Sequence, residues 1–159
     1  MRVMRTPAKT GFTLVELVIV VAIIALLASI AIPNFMEAQF RAKRAEVAPN
    51  VTGIMNAQVA YDAAHDQYLV VEWAPSAIPS GKVAVDWPTD HPGFTELGWS
   101  PDGKVRGVYA VTTVNDRASQ KDADFVVTGR CDVDGALAEA WYTATRHLRT
   151  VYLNENDTF

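Results

Sequence analysis

Residues 9–17 read Lys-Thr-Gly-Phe-Thr-Leu-Val-Glu-Leu, and an apolar run continues from Leu17 to Ile32, interrupted only by Ser29. At a rise of about 1.5 Å per residue, a helix over residues 12–32 is roughly 30 Å long, which matches the hydrocarbon core of a bilayer. Valine, isoleucine, leucine and alanine fill this block on every helical face. The pattern predicts a helix that is surrounded by lipid or by other apolar helices.

The charges on either side of the apolar block predict its orientation. Residues 1–11 contain Arg2, Arg5 and Lys9 and no acidic residue, whereas residues 12–159 contain 11 basic and 18 acidic residues. Positive charges beside a spanning helix stay in the cytoplasm, so we expect the body of the chain on the other side of the membrane. An acidic body also argues against broad, sequence-independent binding of nucleic-acid phosphates.

Two residues distinguish the block from a plain membrane anchor. Glu16 lies four residues into it, and a carboxylate inside a bilayer costs a few kcal/mol, so such residues are usually functional and paired. Gly11 directly precedes Phe12 at the boundary between the charged leader and the apolar helix. A secretory signal peptide cut near residues 29–31 is the alternative, but it leaves Glu16 unexplained and needs a shorter apolar stretch.

This segment resembles the prepilin motif of type IV pilins and type II secretion pseudopilins, over about residues 9–40. The resemblance implies that a prepilin peptidase cleaves between Gly11 and Phe12 and that the new amine of Phe12 is N-methylated. It also implies that Glu16 of one subunit neutralises the Phe12 amine of a neighbour, because a buried charge is tolerable only when it is paired. Pro33 lies where many such pilins carry a proline, and we expect the helix to kink or locally melt there.

Four segments are predicted from this reading. They are a cleaved leader peptide, a transmembrane or filament-core half of the helix, an amphipathic half, and a globular β-sheet head, over residues 1–11, 12–33, 34–64 and 65–159. In the amphipathic half, apolar residues recur at spacings near three, four or seven, which predicts one buried face: Met36, Phe40, Val47, Val51, Ile54 or Met55, and Val59. Pro49 and Gly53 are expected to weaken the regularity of this helix.

The head is predicted to be an antiparallel sheet that the long helix covers, which gives an α+β, pilin-like fold. Residues 75–103 hold five of the eight prolines and four of the nine glycines, so this region is predicted to be loop with short extended pieces. Extended segments are predicted at residues 68–73, 82–85, 106–114, 125–132, 138–145 and 149–153. Around Trp141 and Tyr142 the pattern is also compatible with a short helix.

Catalytic and metal sites find little support in the sequence. There is no nucleophile elbow or phosphate loop, and the three histidines lack ligand-like spacing, so we do not expect an enzyme or a bound cofactor. Asp132, Asp134 and Glu139 are weak calcium candidates, because alternating oxygen ligands near a Gly turn suit that ion. The single cysteine, Cys131, is expected in the core, and the four tryptophans are expected to be mostly core anchors.

Three functions follow as hypotheses. The first is a structural subunit of a type IV pilus, and the second is a pseudopilin of a type II secretion system. The third, from another class, is an exported or membrane-tethered binding protein. The resemblance implies as partners a prepilin peptidase and N-methyltransferase, an inner-membrane assembly platform, membrane lipid, and other subunits in a helical homo- or hetero-polymer. It also implies a single-pass inner-membrane precursor that later joins a surface pilus or a periplasmic pseudopilus. Adhesion, motility and DNA uptake all remain open.

Overall fold

The computed structural model describes residues 11–79, 83–115, 122–135, 139–149 and 151–152. The chain divides into two compact units, Met1–Ala38 and Gln39–Phe159. The helices are α1 (Leu14–Arg44), α2 (Val47–His65) and α3 (Pro92–Leu97). The strands are β1 (Val71–Ala74), β2 (Gly107–Asn115), β3 (Asp122–Cys131), β4 (Ala140–Thr145) and β5 (Val151–Tyr152).

Helix α1 runs through Pro33 without a break in its helical residues. The helix therefore does not melt at this proline in the single chain, and a bend of its axis stays a prediction. The helical run is interrupted later, by a turn at Ala45 and Glu46. Pro49 accounts for that interruption, because it has no N–H to donate to the carbonyl of Ala45 and its ring crowds the same carbonyl. Pro49 itself lies in the first turn of α2, where a proline is tolerated.

The head contains a five-stranded antiparallel meander in the order β1-β2-β3-β4-β5. Helix α2 packs on β3 and β4, so the predicted α+β, pilin-like arrangement of a long helix on an antiparallel sheet is confirmed. Strands lie in all four ranges predicted after residue 105, and Trp141 and Tyr142 belong to β4 rather than to a helix. Lys82 lies outside the described residues, while Val85 forms an isolated bridge with Val105.

Two positions of the predicted buried face are wrong. Val47, Val51 and Ile54 are fully buried as expected, but Met36 is 47% and Val59 41% exposed. Gln58 is fully buried in place of Val59. The buried face of α2 continues in alternating steps of three and four residues, as a straight helix requires, and that rhythm selects position 58. Cys131 is buried in the core between sheet and helix, as predicted.

Gln58 joins α2 to the segment that leads into β1. Its side-chain Nε2 donates to the carbonyl oxygen of Leu69 at 2.7 Å, and its Oε1 accepts from the Leu69 backbone N–H at 3.0 Å. The amide thus pairs with both backbone groups of one residue, as a neighbouring strand would. A buried glutamine is tolerated here because both ends of its amide are satisfied.

Replacing Gln58 with leucine is expected to destabilise the head by about 2 kcal/mol, because both backbone groups of Leu69 lose their partner. Urea titration of the full-length protein in detergent micelles, followed by tryptophan fluorescence, measures the effect. Val59→Ala is the matched control, since an exposed neighbour is expected to change stability by less than about 0.5 kcal/mol. A larger loss for Val59→Ala than for Gln58→Leu would contradict the observed helix face.

Helix α3 corrects the prediction that residues 75–103 contain only loop and extended pieces. The ring Nδ1 of His91 accepts from the Phe94 backbone N–H at 3.4 Å, and Pro92 occupies the start of the helix. Gly98 ends the helix with a φ of 69°, a left-handed conformation that glycine adopts without strain. Pro92 and Gly98, which are among the residues that suggested a loop, are therefore the start and stop signals of a short helix.

Candidate functional site at the start of the apolar helix

The apolar part of α1 is exposed on all sides. Leu14 is 78% exposed, Leu26 66% and Ile32 58%, and none of the most apolar 18-residue window is buried. By length and composition this helix is able to cross a membrane. Ser29 is the one hydroxyl in the middle of the block, and its Oγ donates to the carbonyl of Leu26 at 2.7 Å. The polar group is thereby satisfied within the helix, as an apolar environment demands.

The first turn of α1 is closed by a reciprocal pair of hydrogen bonds between Thr13 and Glu16. The Thr13 Oγ1 accepts from the Glu16 backbone N–H at 3.2 Å, and the Glu16 Oε2 accepts from the Thr13 backbone N–H at 2.9 Å. The Thr13 hydroxyl also donates to Oε2 at 2.7 Å. This is a capping box, with threonine at the N-cap and glutamate three residues later. It holds the Glu16 carboxylate at the helix N-terminus, where the helix dipole stabilises a negative charge.

Gly11 and Phe12 lie just outside the helix, with no regular backbone structure. Apart from its chain neighbours, no atom of the described residues lies within 4 Å of the position that a side chain on Gly11 would take, and Phe12 is 75% exposed. A peptidase needs backbone that is accessible and not bound into helical hydrogen bonds. The Gly11–Phe12 bond meets that requirement, and cutting it would leave a cationic amine one residue before the cap.

Glu16 is the only charged residue between Phe12 and Ile32. Within the part of the chain that the structure describes, the carboxylate accepts two hydrogen bonds, both on Oε2, so Oε1 can accept a further interaction. In a medium with little water, that second interaction is worth far more than at a protein surface. The geometry therefore suits a carboxylate that is oriented by its own helix and neutralised from outside it.

The weak calcium candidates are held by other groups. The Asp132 Oδ1 accepts from the Gly135 backbone N–H at 2.8 Å, and Glu139 forms an ion pair with the guanidinium of Arg130. Within the described residues, no three or more His, Cys, Asp or Glu side chains are grouped as a metal site. The arrangement of Asp132, Asp134 and Glu139 thus adds no support to the calcium hypothesis, which stays a prediction.

Comparison with known protein families finds a match at this end of the chain. A family model described as "Prokaryotic N-terminal methylation motif" matches residues 7–32. That range contains the capping box, Phe12 and the whole apolar block, so the prepilin-type motif predicted from residues 9–17 is confirmed. No solved structure matches the chain.

Three curated proteins are similar to parts of the chain. The type IV major pilin protein PilA of Myxococcus xanthus is 49% identical over 69 residues, which cover 43% of this chain and 31% of that protein. The type II secretion system core protein G of Klebsiella michiganensis is 32% identical over 69 residues, covering 43% and 49%. The type IV wide pilus major component PilA4 of Thermus thermophilus is 41% identical over 58 residues, covering 36% and 44%.

The chain thus spans about a third to a half of the length of the relatives that it matches. Two of them are named as pilus components and one as a secretion-system core protein. None of these names is that of an enzyme, in agreement with the prediction of a structural subunit.

Proposed function

We propose that this chain, which carries a prepilin-type methylation motif, is a structural subunit of a type IV pilus. The observation that carries the proposal is an uncovered apolar helix whose first turn holds one oriented carboxylate, directly after an accessible Gly11–Phe12 bond. The similarity to two proteins named as pilus components supports it.

The proposed precursor waits in the inner membrane with its head outside the cytoplasm. A prepilin peptidase and N-methyltransferase removes residues 1–11 and methylates the amine of Phe12. An inner-membrane assembly platform then moves the subunit from lipid into a helical polymer of this or related chains. Residues 12–33 form the filament core, residues 34–64 form the amphipathic half of the helix, and residues 65–159 form the head on the filament surface.

The energetics of Glu16 give this transfer a direction. In lipid, the carboxylate has only its own first turn as a partner, and its burial costs a few kcal/mol. In the filament core, the methylated Phe12 amine of a neighbour supplies the opposite charge, so the cost of burial is offset. The apolar faces exchange lipid for other helices, which changes their environment little. The ion pair therefore fixes the axial position of one subunit against the next.

A pseudopilin of a type II secretion system is the second candidate. The observation that favours it is the 32% identity with the core protein G of such a system, over the same 69-residue length as the pilin match. Both candidates use the same N-terminal chemistry. They differ in the location of the filament, which is the cell surface for a pilus and the periplasm for a pseudopilus. An exported or membrane-tethered binding protein would use the apolar segment for export or tethering only.

One experiment separates these candidates. Filaments are sheared from cells that express the full chain, and the intact mass of the protein is measured in the sheared and the membrane fractions. We expect a chain that begins at methylated Phe12 and is enriched in the sheared filaments, because cleavage precedes assembly.

Each other outcome has a distinct meaning for the proposal. The same mature N-terminus, found only in the periplasm and membrane, would replace the pilus by a pseudopilus. A chain that begins at Ile32, or one that keeps residues 1–11 at the cell surface, would reject both filament functions.

A further inference from the structure

The head carries an open aromatic cleft beside α3 that the filament function does not use. Two adjoining hollows, with volumes of about 310 and 360 Å³, share Trp87, Thr89 and Ser100 in their walls. Phe94 and Trp99 line the first hollow, whereas Asp86 and Lys104 line the second. Trp87, Thr89 and Ser100 thus form a common wall between an aromatic hollow and a charged one, and the two together are called the cleft below.

The aromatic walls are held in fixed positions. The Trp87 and Trp99 rings meet at 90° with centroids 5.5 Å apart, and Phe94 contacts both, at 5.0 and 5.5 Å. Behind them lies the fully buried Tyr109, with its ring 6.1 Å from Trp87 and 5.9 Å from Trp99. Such edge-to-face packing defines ring orientation, so a ligand meets walls that need no reordering.

Trp99 is also seated on α2 by a close approach that only a glycine permits. A side chain on Gly53 would place its first carbon 2.7 Å from the Trp99 Nε1, which is too close for any real contact. The indole nitrogen therefore lies against the helix, while Trp99 remains half-buried and lines the cleft. Both tryptophans combine a packed edge with a surface that faces the cleft.

The rim of the cleft supplies polar groups of both kinds. Thr89 and Ser100 offer hydroxyls that both donate and accept. Asp86 and Lys104 form an ion pair at 3.1 Å, with side chains that are 83% and 60% exposed. Because these two charges compensate each other, the cleft has no unpaired charge to select an anionic or cationic ligand.

We propose that this cleft binds a neutral pyranose sugar, as a single residue or as the end of a glycan. The C–H face of such a ring is apolar and fits the indole walls, while its hydroxyls need donors and acceptors at the rim. The first hollow combines the aromatic residues Trp87, Phe94 and Trp99 with the hydroxyls of Thr89, Thr95 and Ser100. Apolar and aromatic walls with a few polar groups, around a few hundred Å³, are the usual form of a small-ligand site. Hydrogen bonds to Thr89 and Ser100 would set the orientation of the ring, and the inference does not depend on filament assembly.

The test uses the full-length protein in micelles of a detergent without a sugar headgroup. Methyl glycosides of glucose, galactose, mannose and N-acetylglucosamine, and short oligomers of each, are titrated, with tryptophan fluorescence and saturation-transfer NMR as readouts. For ligands of this size we expect a dissociation constant on the order of 1 mM for the preferred sugar.

The double variant Thr89→Val/Ser100→Ala removes both hydroxyls and keeps the aromatic walls. Binding of the preferred sugar is expected to weaken about tenfold, because two hydrogen bonds are lost, with an unchanged melting temperature. Trp141→Ala is the control, since Trp141 is 38% exposed and does not line the cleft; it should leave binding unchanged.

Two results would overturn the inference. One is the absence of saturation transfer from every sugar at tens of millimolar. This result would overturn the inference even if an apolar peptide bound to the cleft. The other is equal sugar binding by the wild type and the double variant. Neither result bears on the proposed pilus function, which the mass of the sheared protein tests separately.

Discussion

Replacing Glu16 with alanine is expected to lower incorporation into filaments about 100-fold or more, while membrane insertion and leader removal proceed normally. In the proposed filament core, the change leaves the Phe12 amine of a neighbouring subunit without a counter-charge. Breaking a buried ion pair in this way costs about 3–5 kcal/mol, and 1.4 kcal/mol corresponds to a factor of ten. The ratio of mature protein in sheared filaments to that in membranes, measured by immunoblot, reports the effect.

Two further variants separate the charge of Glu16 from its role in the capping box. Glu16→Gln keeps an acceptor that suits the box but removes the charge, and it should assemble as poorly as the alanine variant. Thr13→Ala removes the hydroxyl of the box at a cost of about 1 kcal/mol but keeps the charge, and it should still assemble. Near-normal filaments from Glu16→Gln would show that capping, rather than pairing with an amine, is what the filament requires.

The candidate assembly site could be predicted from sequence because its signals are local. The Gly11–Phe12 boundary, the single carboxylate and the apolar block all lie within 22 consecutive residues, from Gly11 to Ile32. The role of Thr13 was missed, although a threonine followed three residues later by a glutamate before an apolar run is a readable capping signal.

The head was less predictable because its decisive contacts join distant residues. Gln58 occupies a core position through its pairing with Leu69, which no apolar pattern reveals. The aromatic cleft depends on the contact of Trp87 with Trp99. Trp99 in turn lies against α2, where Gly53, 46 residues earlier in the chain, makes room for it. Strand positions were easier, since β-branched residues and turn signals mark them within the sequence.

Gly129 determines how closely helix and sheet approach. It lies in β3 on the face that α2 covers, and a side chain there would place its first carbon 2.5 Å from Val51 Cγ2 and 2.9 Å from Val47 Cγ1. Both valines are fully buried in the core, so neither has room to move aside. The absence of a side chain at position 129 is therefore what allows the two valines to lie directly on the sheet.

Gly129→Ala is accordingly expected to destabilise the head by about 1–2 kcal/mol, measured by urea unfolding of the full-length protein in micelles. Replacing glycine by alanine restricts the unfolded chain and favours folding by about 0.4–1 kcal/mol, but overpacking a closed core costs about 1–3 kcal/mol and outweighs it. Val51→Ala removes the atom that lies closest, so the double variant should lose at least about 1 kcal/mol less than the two single losses combined. Strict additivity of the two losses, or no loss for Gly129→Ala alone, would mean that α2 shifts without cost and that contact with Gly129 does not set the spacing of helix and sheet.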